Sequence, residues 1–105
     1  NGGKYNSRDF LYIDDAVCGL IAAISKFDVV KGSVINLGSG IETNLPSLAY
    51  LICEMLFKSP DLVKISKTGQ SSRFQANTKL AKSLIDFEPK ISLNEGLVFI
   101  LEKLK

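Results

Sequence analysis

Three stretches of this sequence favour strands, and all three are short. Phe10-Leu11-Tyr12, Ser33-Val34-Ile35-Asn36-Leu37 and Leu62-Val63-Lys64-Ile65-Ser66 carry the aromatic, β-branched and alternating residues that suit a pleated surface. A sheet with so few residues is marginal by itself and normally pairs with, or packs on, something larger. The remaining apolar pattern is helical. Val17, Leu20, Ile21 and Ile24 recur at a period near 3.6, as do Leu48, Leu51, Ile52, Met55 and Leu56. A short helix is expected over Thr78 to Ile85. Leu93, Leu97, Ile100, Leu101 and Leu104 line one face of a last helix. The expected fold is therefore α/β: one domain over residues 1–105, a small mixed lobe of about three short strands and four helices.

Local punctuation places the helix ends. Asp14 has the right chemistry for an N-cap, with Asp15 a second carboxylate in the first turn. Asn44 or Leu45 caps the second helix, and Pro46 suits its first turn. Ser59-Pro60-Asp61 ends that helix. Asn77 is the expected N-cap of the third helix, and Ser92 followed by Glu95 forms a capping box for the fourth. Asn1 to Ser7 reads as loop material, as though the chain were cut inside a loop.

Charge and composition narrow the function classes. A formal net charge of +2 with dispersed lysines argues against nucleic acid. The longest apolar runs fall far short of the roughly 20 residues of a membrane span, and no leader-like segment opens the sequence. Cys18 and Cys53 sit in expected helices and read as small buried hydrophobes in a reducing cytoplasm. With no histidine, the commonest general base and metal ligand are missing, and two separated cysteines do not make a zinc site.

Several motifs invite chemistry and have simpler readings. Gly38-Ser39-Gly40-Ile41-Glu42-Thr43 follows an expected strand and precedes a helix, like a dinucleotide fingerprint. It lacks the third glycine and the later acidic residue, so a tight turn needing positive φ is the better account. Asp14 and Asp15 could form a carboxylate pair, but neighbours at a helix start do not face one site. Tyr5, Tyr12 and Tyr50 lack a lysine four residues on, so no complete catalytic set is present. Two arginines, Arg8 and Arg73, stand in polar loops beside expected elements. Their guanidinium forks suit a phosphate, although from spacing alone a surface or structural ion pair is the better account.

Four segments in register carry a family likeness. Arg8-Asp9-Phe10-Leu11-Tyr12-Ile13-Asp14-Asp15-Ala16 resembles the R-D-[FY]-x-[YH]-[VI]-x-D motif of NAD-dependent nucleotide-sugar epimerases and dehydratases, members of the extended short-chain dehydrogenase/reductase family. Asn36-Leu37-Gly38-Ser39-Gly40 is similar to that family's N-[VL]-G-[SG]-G step. Gly69 to Arg73, followed by Asn77-Thr78-Lys79-Leu80-Ala81, resembles its G-x-x-x-R-x-x-x-D-x-[ST]-[KR]-[AL] segment. Phe87-Glu88-Pro89 through Glu95-Gly96-Leu97 resembles its closing segment. Asn77 replaces the usual Asp, and Ile85-Asp86-Phe87 replaces the commoner Leu-Gly-[WF], which puts one turn in doubt.

The resemblance implies the C-terminal, substrate-binding part of such an enzyme, without the nucleotide-binding Rossmann half. It implies a nucleoside-diphosphate sugar as ligand, with Arg8 and Arg73 on its diphosphate and ribose and Gln70 nearby. It implies NAD(P) in the intact enzyme, no cofactor bound by this chain alone, no turnover by this chain alone, and a cytoplasmic setting. A Rossmann half, missing or separate, is the implied partner, and part of the lobe's apolar surface should then be uncovered. The alternatives are a stand-alone binding or interaction module, as a monomer or homodimer, and a structural subunit that complements a separately encoded half.

Overall fold

Local signals set the helices in the computed structural model, which describes residues 6–65 and 72–104. Five α-helices occur among the described residues: α1 (Ile13–Ser25), α2 (Phe27–Val30), α3 (Leu45–Met55), α4 (Lys79–Ile85) and α5 (Leu93–Lys103). Asn44 caps α3 by accepting from the Ser47 N–H at 3.2 Å, with Pro46 in the first turn as expected. The capping box of α5 is complete. Ser92 Oγ accepts from the Glu95 N–H at 3.1 Å, and Glu95 Oε1 accepts from the Ser92 N–H at 3.0 Å.

Two expected caps shift. Helix α1 begins at Ile13 with Tyr12 as its N-cap residue and no side-chain cap, so Asp14 lies inside the first turn and does not cap it. The helix starts two residues earlier than an Asp14 cap would place it, and the neighbouring Asp15 turns to a tertiary contact. The N-cap residue of α4 is Thr78, again without a side-chain cap. Asn77 stands one residue outside, yet its Oδ1 still accepts from the Lys79 N–H at 3.1 Å, satisfying a first-turn donor from a turn conformation.

The strands differ more. None of the three expected runs forms a ladder among the described residues; Pro60–Leu62 is a 3-10 turn, and Ser66 lies outside the description. A run of strand-forming side chains remains extended or irregular until another strand meets its backbone donors and acceptors. The sheet that does form is a two-stranded antiparallel ribbon of polar residues. β1 (Ser7–Asp9) pairs with β2 (Glu42–Asn44) in the register Ser7–Asn44, Arg8–Thr43, Asp9–Glu42.

The core is thin. Among the described residues Val30, Ala81, Ile85 and Phe87 are the buried apolar side chains, with Leu11, Ala22, Ala23, Ile35, Leu37 and Leu84 packed against them. Helix α1 meets this cluster through its small residues. A methyl group on Gly19 would come within 2.8 Å of Leu37 Cδ1 and 3.1 Å of Phe87 Cε1. Its large residues face the other way. Ile13, Val17, Leu20, Ile21 and Ile24 are all exposed, Ile24 at 74%. Their spacing of three and four residues makes one continuous apolar stripe. Cys18 is exposed beside them and Cys53 on α3 half-buried, so neither is the core residue that its helix position suggests. The accessible surface is 7667 Å², against about 5,800 Å² expected for a closed monomer of this mass. The smallest dimension of the molecule is 15 Å. A layer this thin leaves a strong apolar helix face without a counterpart.

Candidate functional site

A carboxylate that donates nothing organises the polar end of the molecule. Asp9, at the end of β1, accepts four hydrogen bonds. Oδ1 takes the Ser39 N–H at 2.8 Å and the Ser39 Oγ–H at 2.6 Å, while Oδ2 takes the Gly40 N–H at 2.8 Å and the Ala76 N–H at 3.1 Å. Burial pushes the Asp9 carboxyl up, but the Ser39 side chain and the backbone N–H groups of Ser39, Ala76 and Gly40 outweigh it and hold the group below its ordinary value. Gly38 makes the approach possible. A Cβ there would stand 2.5 Å from Ala76 Cβ and 2.9 Å from Asp9 Oδ2. Gly40 has φ +77°, so the 38–40 turn needs a left-handed residue, as its sequence suggests.

This arrangement also answers the dinucleotide reading of Gly38–Gly40. The two N–H groups that would cradle a pyrophosphate are already committed to Asp9. The turn is therefore an internal tie, and it does not fit the phosphates of a dinucleotide cofactor.

The segment after the undescribed residues 66–71 lies across the ribbon. The Ser7 N–H donates to Ser72 O at 2.9 Å, and the Ser72 N–H donates to Asn6 Oδ1 at 2.8 Å. Gln75 Nε2 donates to Gly40 O at 2.5 Å, and Ala76 closes on Asp9. Both arginines belong to this crossing. Arg8 Nη1 donates to Ser7 O at 2.7 Å and to Ser72 O at 3.4 Å. Arg73, the next residue, grips Glu42 of β2. Its Nε is 3.1 Å from both carboxylate oxygens, and its Nη2 is 2.7 Å from Oε1. The hydrogen bonds from Arg73, more than its charge, pull the Glu42 carboxyl below its ordinary value and hold the guanidinium above its own. The structure thus gathers Arg8 and Arg73 along one ribbon, whereas Gln70 lies outside the described residues.

A second carboxylate works in the same way on the far side. Asp15 is 3% exposed, and its two oxygens accept from the N–H groups of Lys90 (3.0 Å) and Ile91 (2.9 Å). It pins the start of α1 to the approach of α5. Between these ties lies a hollow of about 260 Å³ whose lining includes Thr43, Ser39, Phe10, Lys90 and Glu95. Thr43 is also the cross-strand partner of Arg8. Among the described residues no cluster of His, Cys, Asp or Glu could hold a metal, and no helix is long and apolar enough to cross a membrane.

The roles of Asp9, Asp15 and Glu42 escape a reading of the sequence. Asp9 and Asp15 stand in the quoted Arg8–Ala16 segment as motif letters, but their partners lie 30 to 76 residues away. The order of motifs shared by Asp9, Gly38 and the 72–76 segment is the one signal that links them.

The fold is shared with known proteins. The chain is 31% identical over 97 residues to an uncharacterized UDP-glucose epimerase (YtcB) of Bacillus subtilis, covering 91% of this chain and 30% of that protein. An epimerase from Methanothermobacter thermautotrophicus superposes with a TM-score of 0.77 at 29% identity, over 93% of this chain and 29% of the other. The chain matches the C-terminal part of an extended short-chain dehydrogenase/reductase. A variant of the UDP-glucuronic acid 4-epimerase from Bacillus cereus, solved with NAD and UDP-4-deoxy-4-fluoro-glucuronic acid, superposes on 95% of this chain. There the TM-score is 0.76 and the identity 27%, over 33% of that chain. No protein-family model matches. The chain spans about 30% of the length of the curated relatives it matches.

Proposed function

We propose that this chain is the nucleotide-sugar-binding C-terminal lobe of an NAD(P)-dependent sugar-nucleotide epimerase or dehydratase. The observation that carries the reading is the placement of both arginines of the chain, 65 positions apart, against one two-stranded ribbon. Arginines whose backbones are tied down, Arg8 by β1 and Arg73 by its neighbour Ser72, are suited to a diphosphate, because a preorganised fork loses little freedom on binding. Arg8 and Arg73 hold the diphosphate, with Gln70 beside them, and so fix where the sugar lies. The nicotinamide cofactor, which supplies reversible hydride transfer in such enzymes, belongs to a Rossmann half. In this lobe the turn that most resembles a cofactor loop is closed by Asp9. The relatives named for UDP sugars favour a UDP sugar as ligand.

The exposed stripe Ile13, Val17, Leu20, Ile21 and Ile24 is the face we assign to that half. The Leu20→Asp substitution is expected to weaken its association with the rest of the enzyme. A stand-alone module would leave a stripe of this size in water, which soluble monomers rarely do.

Calorimetry of the intact protein with UDP tests the site. Arg8→Ala and Arg73→Ala are each expected to weaken binding about ten- to hundredfold, the loss of one charge-assisted contact. Unchanged affinity in both variants refutes the assignment.

A further inference from the structure

A guanidinium offers two edges that can each take an oxyanion by two parallel hydrogen bonds: the side edge of Nε and Nη2, and the end edge of Nη1 and Nη2. In Arg73 the side edge is taken by Glu42, with contacts of 3.1, 3.1 and 2.7 Å. The outer hydrogen-bonding positions of Nη1 and Nη2 make no hydrogen bond among the described residues, and the Arg73 side chain is 69% exposed, against 19% for Glu42. We infer that Glu42 is a positioning residue for the nucleotide site: it fixes the plane of Arg73 by the side edge and leaves the end edge for the diphosphate.

The inference rests on the reading of Arg73 as a diphosphate ligand. Its physical basis is the rigidity behind Glu42. Glu42 stands on β2 directly opposite Asp9, and Asp9 is locked by four hydrogen bonds to the 38–40 turn and to Ala76. The backbone before Arg73 is fastened through Ser72 to Ser7 and Asn6. A long and otherwise mobile side chain is thus fixed at both ends, at its backbone and at its head group. A surface ion pair between two long side chains adds little to stability. An ion pair that orders one of them for a third group acts instead on affinity. The opposite effect is also physically definite. A carboxylate beside the phosphates could compete for Arg73, and then removing it would tighten binding.

The test is a double-mutant cycle on the intact protein, with UDP as the probe in calorimetry. Arg73→Ala is expected to weaken UDP. Glu42→Gln, which keeps the shape but turns one acceptor into a donor, is expected to weaken it about two- to tenfold. In the Arg73→Ala background Glu42→Gln is expected to do nothing further, which a merely structural role would not produce. Glu42→Asp keeps the charge and is expected to bind better than Glu42→Gln. If Arg73→Ala weakens UDP while Glu42→Gln leaves it unchanged or tighter, the positioning role is overturned and the arginine site stands. A further loss from Glu42→Gln when Arg73 is already absent overturns it equally. If Arg73→Ala itself changes nothing, the site reading fails and takes this inference with it. Should Glu42→Gln not fold, Glu42→Asp serves in its place: it shortens the reach to Arg73 and leaves the guanidinium's end edge intact. It must then weaken UDP when Arg73 is present and do nothing further in the Arg73→Ala background, and wild-type affinity in Glu42→Asp overturns the role.

Discussion

Replacing Asp9 with Asn changes one atom and removes one charge, yet it strikes the point where three segments meet. In the native arrangement each carboxylate oxygen accepts two hydrogen bonds, from Ser39 N and Oγ on one side and from Gly40 N and Ala76 N on the other. An amide keeps one acceptor and presents two N–H donors in place of the other. Whichever way it is turned, at least one backbone N–H loses its acceptor and faces a donor. The retained pair also loses its charge assistance. Hydrogen bonds to a charged group contribute about 1.5–3 kcal/mol, and an orphaned donor costs about 1–3 kcal/mol. With relaxation of the Ser39 hydroxyl, which is already 3.3 Å from Ile41 O, the net loss is about 2–4 kcal/mol. That is a large share of the roughly 5–15 kcal/mol that holds an ordinary domain together.

Urea unfolding followed by circular dichroism measures it, and the pH dependence checks the cause. The folded-state pKa of Asp9 lies below its ordinary value. Its contribution is therefore complete above the ordinary carboxylate range and disappears as pH falls through the folded-state value. The gap between wild type and Asp9→Asn should be widest near neutral pH and should narrow in acid. A difference below about 0.5 kcal/mol at neutral pH, the level of a neutral surface change, refutes the account of Asp9 as the tie. So does a gap that widens in acid.

Three further outcomes follow from the same geometry. Asp15→Asn is expected to cost about 1–3 kcal/mol, since the part-buried N–H of Lys90 or Ile91 is left facing a donor; hydrogen exchange at those two amides should accelerate. Gly38→Val is expected to cost more than 1 kcal/mol, the usual lower bound for overpacking, because Ala76 and Asp9 occupy the space; unfolding midpoints would show it. Asp86 ends α4 at φ +53°, a left-handed conformation suited to glycine, so Asp86→Gly is expected to raise the unfolding temperature despite losing the exposed contact with Lys82, and Asp86→Val to lower it.

The sequence announces the helices because their signals are local. Pro46, Asn44 and the Ser92/Glu95 box act within one turn, and α3 and α5 lie where those residues put them. Helix α2, four residues long, has no such signal. The strands were illegible for the opposite reason. Ser33–Leu37 has the side chains of a strand but no ladder partner among the described residues, whereas Ser7-Arg8-Asp9 has none of the propensity and pairs with Glu42-Thr43-Asn44. The turn at Asp86 was the one departure from the family pattern that matters structurally, and it falls where a left-handed residue is required. For the site, Arg8 and Arg73 stand out as scarce forks in polar loops. Asp9, Asp15 and Glu42 do not, because what each one does depends on donors that only the folded chain brings near.

The two-sidedness of α1 has a consequence for its tolerance of change. An ordinary surface helix accepts substitutions in a rhythm, permissive on the wet side and strict on the dry side. Helix α1 sets Gly19, Ala22 and Ala23 against Leu37 and the core cluster, and offers Val17, Leu20, Ile21 and Ile24 to whatever lies beyond. Sandwiched between two layers, it would show no such rhythm. In a saturation scan of the intact protein, a charge at Leu20 should be refused as firmly as bulk at Gly19.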